Sequence, residues 1–397
     1  MSAAGRPIDI RARVAPSIWP TPAQLELLRA ALWGGDEARA AWTRWRALED
    51  VGVLDFSSWQ LLPLAWRNLH GLGMTDEVLE QGRGFHRYHW ARNQQLLRQA
   101  AVAVRAWQAR GVPVVVLKGA ALAAGVYPDP GLRPMADVDL LVPPERAGEV
   151  ADWLQADGWQ PQESYPQWAD VSLETLQSFN WQRGTERLDL HWHVLHRCTR
   201  PEVTQLFWER ARPLALAGAD ALQLAPEDAL LHVCSHGVQY SSQAPFRWLA
   251  DAAWILRRAG AGAFDWTRVV DLAERTGTSL PLRHGLDYAV AELRLPVPAP
   301  VLATLRARRA AWRERWEYRR TTEPAAGNRA IRAWNLAGLL WRVGGTGAPW
   351  TRARRMRRFL CARWESPDLR TVLVLALRKM LTGHRGTMKV GVPAMKA

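Results

Sequence analysis

A chain of 397 residues, 48% of them hydrophobic and without low-complexity tracts, has the length for two or three domains and a substantial core. Its net charge of +14 is carried almost wholly by arginine, because lysine occurs only at Lys118, Lys379, Lys389 and Lys396. The longest apolar run, Thr371 to Leu377, is bracketed by Arg370 and Arg378 and falls far short of the ~20 residues of a transmembrane helix, which excludes one. The opening "MSAAGRPIDIRARV" lacks the apolar core of a signal peptide. Three scattered cysteines, Cys198, Cys234 and Cys361, give neither a disulfide framework nor zinc spacing, so a reducing cytoplasm is expected. The basic balance favours anionic partners, whether nucleotides, polyphosphates, nucleic acid or lipid headgroups.

Residues 1 to about 110 read as a helical region. Thr21 is placed to cap a helix whose first position is Pro22, with Leu25, Leu27, Leu28 and Leu32 at helical spacing. A second helix is predicted over "WQLLPLAWRNLHGLG", and a third from about His86 to Arg110, stopped by Gly111. The pattern then changes. "VPVVVL" is a buried strand, "GAALAAGVY" a short helix, "PDPG" a turn and "DVDLLV" a second strand. A helix closed by Gly158 and a third strand, "ERLDLHWHV", complete a small mixed α/β core over about 111–200. After Pro201 the chain reads as helical again, a domain over 201–310. "RWLADAAWILRRAG" and "DWTRVVDLAERTG" there each end in glycine after arginine. The last region, 311–397, is rich in arginine and tryptophan, densest at "RARRMRRFLCARW".

Side chains alternate along a strand, so Asp137 and Asp139 share one face of "ADVDLLV" while Val138, Leu140 and Val142 share the other. Two carboxylates one strand repeat apart make a claw for a hard divalent cation such as Mg²⁺, which takes one or two carboxylates plus phosphate oxygens. The bland alternative is a pair of solvated residues on an edge strand. The third strand repeats the pattern, with Asp189, His191 and His193 opposite Leu188, Leu190, Trp192 and Val194. Asp189 can thus join the first pair on the sheet's open side. Three converging carboxylates are the layout of a metal-dependent phosphoryl or nucleotidyl transfer site, in which the third ligates metal or deprotonates the attacking hydroxyl. Lys118 then has a local reason. It closes the first strand and, with Gly119, opens a helix N-terminus, combining free N–H groups, the helix dipole and an ammonium as an anion cradle.

"LKGAALAAGVYPDPGLRPMADVDLLV" followed by "LDLHWHV" resembles the uncharacterised bacterial nucleotidyltransferases of the polymerase-β-like superfamily. The similarity extends to "LLPLAWRNL" and "APEDALLHVCSHGVQY…FRWLADAAWIL", and covers residues 20 to 295. The resemblance implies an α+β fold, a minimal nucleotidyltransferase core embedded in N- and C-terminal helical domains. It implies a metal pair at Asp137 and Asp139, completed by Asp189 as ligand or base, and two Mg²⁺ ions with a nucleoside triphosphate such as ATP as donor. Most superfamily members begin the helix with Gly-Ser, where this chain has Lys118-Gly119. These two residues and Arg133 are expected to hold phosphates. Members stand beside genes for peptide natural products, including lasso peptides, and for polysaccharides, which implies a peptide, sugar or small-molecule acceptor.

Several features carry a plainer reading beside the functional one. His191 and His193 form a strand H-x-H pair that would suit zinc or iron, but the further ligands and the all-β setting such sites use are missing, so a role in supporting the metal ligands or in binding the acceptor is expected instead. His232 and His236 stand i, i+4 on one helix without the glutamate of a hydrolase motif; packing or polar contact with the catalytic face is expected, with His236 a substrate candidate. Arg247, Trp248 and Asp251 either position substrate or tie their helix to the core, and the structural role is the one expected. The 23 tryptophans are read as packing rather than base-stacking residues. The "RARRMRR" run is a solvated helix face, or a contact with an anionic membrane surface or acidic peptide. Two rival functions remain beside nucleotidyl transfer: phosphotransfer by the same triad, and a non-catalytic helical module binding acidic peptide or nucleic acid.

Overall fold

The computed structural model describes residues 9–10, 18–50, 53–162, 173, 176–196, 198–239, 246–260, 262, 264–322, 348–363, 366 and 368–382. Most of the opening stretch weighed as a signal peptide, and Lys389 and Lys396, lie outside these. The chain divides into two compact units, Met1–Glu163 with Leu176–Leu336, and Ser164–Thr175 with Ala337–Ala397. Among the described residues no helix is long and apolar enough to cross a membrane.

The first unit opens on α1 (Pro22–Leu32), α2 (Gly35–Leu48), α3 (Phe56–Gly71) and α4 (Glu77–Gln108). Thr21 caps α1 in a full capping box with Gln24. The sequence reading missed α2 and began α4 nine residues late, because Gly82 and Gly84 weaken the helical signal there. Gly82 has a packing reason: a Cβ on it would stand 2.9 Å from the Leu62 carbonyl oxygen and 2.9 Å from Trp66 Cβ, so its absence lets α3 and α4 cross closely. A two-residue parallel pairing joins β1 (Asp9–Ile10) to β2 (Val53–Leu54).

A seven-stranded mixed sheet follows, in the order β5-β6-β7-β4-β3-β9-β8. Its strands are β3 (Val115–Leu117), β4 (Val138–Leu141), β5 (Gln160–Pro161), β6 (Ser178–Arg183), β7 (Glu186–His191), β8 (Arg212–Leu216) and β9 (Ala219–Gln223). Between strands run α5 (Lys118–Gly125), α6 (Ala147–Ala156) and α7 (Pro201–Trp208). Two strands were not anticipated on the near side of Pro201, and the β8–β9 hairpin corrects the expectation of helix beyond it. Leucine and alanine dominate that hairpin and favour helix by propensity. Its turn overrides them: Ala217 (φ 45°) and Gly218 (φ 81°) are both left-handed, the geometry of a two-residue hairpin turn.

Helices α8 (Pro226–Gly237), α9 (Arg247–Ala259), α10 (Trp266–Thr276), α11 (Ser279–Leu293), α12 (Ala299–Ala307) and α13 (Trp312–Thr322) complete this unit. As the sequence predicts, α9 and α10 stop at Gly260 and Gly277, both at positive φ. The joint between α8 and α9 is tight, because a Cβ on Gly237 would fall 2.0 Å from Trp248 Cγ. Gly237→Ala is therefore expected to cost about 1–3 kcal/mol by overpacking, read as a lower urea midpoint. An unchanged midpoint would contradict this packing.

The second unit contains α14 (Pro349–Arg363) and α15 (Leu369–Thr382). The arginine run Arg352–Arg358 lies on α14, whose Phe359 is buried. On α15 Val372 is buried while Leu373 and Val374 are exposed.

Candidate active site

Sheet pairing builds the site. Strands β4 and β7 run parallel with Asp139 directly opposite Asp189, so both carboxylates leave the same face. Antiparallel pairing of β3 with β4 sets Leu117 opposite Asp139, which places the next residue, Lys118, beside the two acids. Lys118 itself adopts a left-handed backbone (φ 44°), a strained conformation for a residue with a Cβ. The strain turns its side chain into the cluster.

Lys118 Nζ donates to Asp139 Oδ1 at 2.5 Å and stands 3.8 Å from Asp189 Oδ2. His191 Nε2 bridges the same two acids, 3.1 Å from Asp139 Oδ1 and 2.8 Å from Asp189 Oδ2. Its Nδ1 faces the His193 carbonyl oxygen at 3.3 Å. Apart from the Lys118 ammonium, 3.4 Å from Nε2, the partners of the ring are acceptors, which favours hydrogen on both nitrogens. Burial disfavours the charged ring, but Asp189 and Asp139 outweigh it and raise the His191 pKa to about 9. Burial likewise opposes ionisation of Asp139 and Asp189; Lys118 and His191 prevail at Asp139, and chiefly His191 at Asp189, holding both below the usual carboxylate range. Two buried anions thus face two cations, the charge that one divalent ion would supply.

Because its folded pKa lies above the ordinary 6.5, His191 contributes stability that is fully present below about pH 6.5 and is lost as pH rises through about 9. The ion-free melting temperature should therefore fall over that interval, and fall less in His191→Gln. Parallel profiles for the two proteins would contradict a charged His191.

Asp137 stands just ahead of β4, half-buried, and its carboxylate has no hydrogen bond to the described residues. Burial, then repulsion from Asp139, raises its pKa. The carboxylate face was expected to be open, yet Asp139 is 4% and Asp189 8% exposed. Helix α8 lies nearby: His232, Ser235 and His236 share a cavity of about 160 Å³ with Lys118 and His191. Burial pulls His232 well below its ordinary pKa and His236 down to about 4, so both rings are neutral there. Residues Asp139, Asp189 and His191 bring one ligand atom each to within 4.8 Å of one another. Asp189 Oδ1 is buried with no hydrogen-bond partner. An orphaned carboxylate oxygen beside a second acid fits a divalent cation, whose charge would satisfy it.

The family model described as uncharacterised nucleotidyltransferase matches residues 57–294, more than half of the chain. The chain belongs to that nucleotidyltransferase family. No curated protein matches it. Among solved structures, the antibiotic-resistance factor ANT(2'')-Ia is 16% identical with a TM-score of 0.31, over 51% of this chain and 96% of that one. An antigenic nucleotidyltransferase-like protein from Paracoccidioides brasiliensis is 16% identical with a TM-score of 0.33, over 55% of this chain and 95% of that one.

Two residues of this nucleotidyltransferase chain are placed otherwise than the sequence reading expected. Arg133, read as a phosphate holder, is buried and paired with Asp251, Nε to Oδ1 at 3.2 Å and the second guanidinium nitrogen to Oδ2 at 2.9 Å. Its remaining nitrogen donates to the Pro134 carbonyl at 3.3 Å and lies 2.7 Å from where a Gly119 Cβ would be. Gly119 therefore makes room for Arg133 and Met135, beside the start of α5. His193 lies beyond the end of β7, so alternation no longer sets its direction; its Nδ1 is 2.6 Å from Thr204 Oγ1, and burial lowers its pKa to about 4. Arg247 and Asp251 do tie α9 inward, Arg247 through Gln60 and the Pro134 carbonyl. Sequence reasoning missed Tyr127, whose hydroxyl donates to Asp251 Oδ1 at 2.9 Å. A lone tyrosine before a Pro-Asp-Pro-Gly turn offers no signal of that partner.

Proposed function

We propose that this protein transfers a nucleoside monophosphate from a nucleoside triphosphate to an acceptor hydroxyl or phosphate, releasing pyrophosphate. The observation that carries the reading is the in-register pair Asp139 and Asp189, buried together with an unpartnered carboxylate oxygen. Those two acids, with Asp137 at their edge, would hold divalent cations; Mg²⁺, a hard ion that takes one or two carboxylates with phosphate oxygens, is the first to test. Bound there, the ion would offset the negative charge of the triphosphate as the α-phosphorus is attacked.

The chain's own groups supply the rest. Lys118, released from Asp139, has the reach and charge to hold a phosphate oxygen. The first turn of α5, whose N-cap Leu117 provides no side-chain cap, offers free N–H groups beside it. Asp189 accepts the proton of an attacking acceptor hydroxyl as the new P–O bond forms and the bond to pyrophosphate breaks. We take ATP as the first donor to test. We place the acceptor among the peptides, sugars or small molecules of natural-product or polysaccharide assembly, in the cytoplasm. The arginine face of α14 is assigned to contact with an acidic peptide.

Incubating the protein with a divalent ion, each ribonucleoside triphosphate and cell extract, then reading products by mass spectrometry, tests the reaction. An adduct with the mass of a nucleoside monophosphate is expected. An adduct with the mass of a single phosphate would establish phosphotransfer instead.

A further inference from the structure

We infer that His191 binds the divalent ion directly through Nε2, and that the resulting site of two carboxylates and one imidazole prefers Mn²⁺ to Mg²⁺. The inference rests on the reading that Asp139 and Asp189 hold such an ion. It adds a ligand that the spacing of the aspartates does not announce, and with it a choice of metal.

Geometry comes first. Nε2 lies 2.8 Å from Asp189 Oδ2 and 3.1 Å from Asp139 Oδ1. The edge of an octahedron with metal–ligand bonds of about 2.1 Å is about 3.0 Å. Nε2 is therefore spaced from each of the two carboxylate oxygens as one corner of a coordination octahedron is from its neighbour, and the ligand atoms of all three residues lie within 4.8 Å of one another. The remaining corners are left for water, phosphate oxygens or Asp137.

The ring is also held as a ligand needs to be. A metal-bound imidazole keeps its tautomer and orientation by donating its other N–H to a carbonyl or carboxylate. Nδ1 of His191 has that partner in the His193 carbonyl oxygen at 3.3 Å. The ring is 2% exposed, so it cannot swing away into solvent without opening the fold. Lys118 differs. Its ammonium contacts Asp139 and stands 3.4 Å from Nε2, but it sits on a flexible stem with 24% of the side chain exposed, so it can withdraw when an ion arrives. An ion bound there would take the place of the Nε2 hydrogen, which would leave as a proton to solvent, and the Nδ1 hydrogen bond would stay in place.

Ligand chemistry sets the preference. Mg²⁺ seeks oxygen donors, whereas a nitrogen donor favours ions of the transition series. Mn²⁺ takes imidazole while retaining six-coordination and carboxylate ligands. Among the described residues no second group of acids and histidines gathers in this way.

The test is Mn²⁺ binding to the full-length protein, followed by electron paramagnetic resonance with pulsed detection of bound nitrogen, and by competition with Mg²⁺. Wild type is expected to show one directly bound imidazole nitrogen and about a tenfold preference for Mn²⁺. His191→Gln should lose the nitrogen coupling and weaken Mn²⁺ binding by about tenfold or more. If that variant fails to fold, as judged by circular dichroism, wild type labelled with ¹⁵N-histidine still decides, because the coupling must change with the isotope. Mn²⁺ held without any nitrogen coupling would overturn the role of His191 and leave the two carboxylates as the site. Failure of wild type to take up millimolar Mn²⁺ would overturn the ion site itself, and this inference with it.

Discussion

Asp139→Ala is expected to lower transfer by about a thousandfold or more and to destabilise the ion-free protein by about 3–5 kcal/mol. Both effects follow from one oxygen. Asp139 Oδ1 accepts from Lys118 at 2.5 Å and from His191 at 3.1 Å, and the residue is 4% exposed. Without it, the ammonium and the imidazolium face each other with Asp189 as their shared counter-charge. Lys118 is partly solvated, so the lower end of that range applies unless His191 is also forced to give up its proton. Activity fails for a separate reason, since an ion would lose one of its anionic ligands. Asp139→Asn separates the two effects: it keeps the volume and some hydrogen bonding but not the charge. Urea melts without added metal, set beside turnover with metal, give both numbers. An Asp139→Ala protein as stable and as active as wild type would contradict the role assigned to this residue.

The second large effect lies away from the carboxylates. Asp251→Ala is expected to cost about 3–5 kcal/mol, because it strands a guanidinium that cannot deprotonate. Arg133, Asp251 and Tyr127 are 7%, 3% and 6% exposed, and both Arg133 and Tyr127 direct hydrogen bonds at Asp251. The pair joins α9 to the turn that leads into β4, and through Arg133 it lies against Gly119 at the start of α5. Removing both partners together, as Arg133→Met with Asp251→Leu, should recover much of the loss, since a buried ion pair is often no more stabilising than an apolar pair of similar volume. Urea denaturation of the three proteins tests this. A cost below about 1 kcal/mol for Asp251→Ala would show that Arg133 finds another partner.

How much of this was legible in the sequence depended on whether the signal was local. The α1 cap, the glycine stops of α9 and α10, and the β3, β4 and β7 strands each follow from a few neighbouring residues. The meeting of Asp139 with Asp189 was also readable, because two short apolar strands with acids on matching faces have few ways to pair. What escaped was set by partners distant in the chain. The β8–β9 hairpin is written in helix-forming residues and decided by its turn. Arg133 read as a free cation because its partner lies 118 residues away. His191 read as one half of an H-x-H pair, yet the strand ends with it, so His193 turns toward Thr204 and His191 alone joins the acids. Lys118 was singled out for its rarity, but its ion pair with Asp139 depends on a left-handed backbone that sequence alone does not announce in a lysine.

The most direct test of the central claim is calorimetric titration of a non-hydrolysable ATP analogue into wild type, Asp139→Asn and Asp189→Asn, with and without a divalent ion. The account predicts binding to wild type that requires the ion and weakens by about tenfold or more in each variant. Equal affinity in all three proteins, or binding indifferent to the ion, would contradict a nucleotide site built on these two carboxylates.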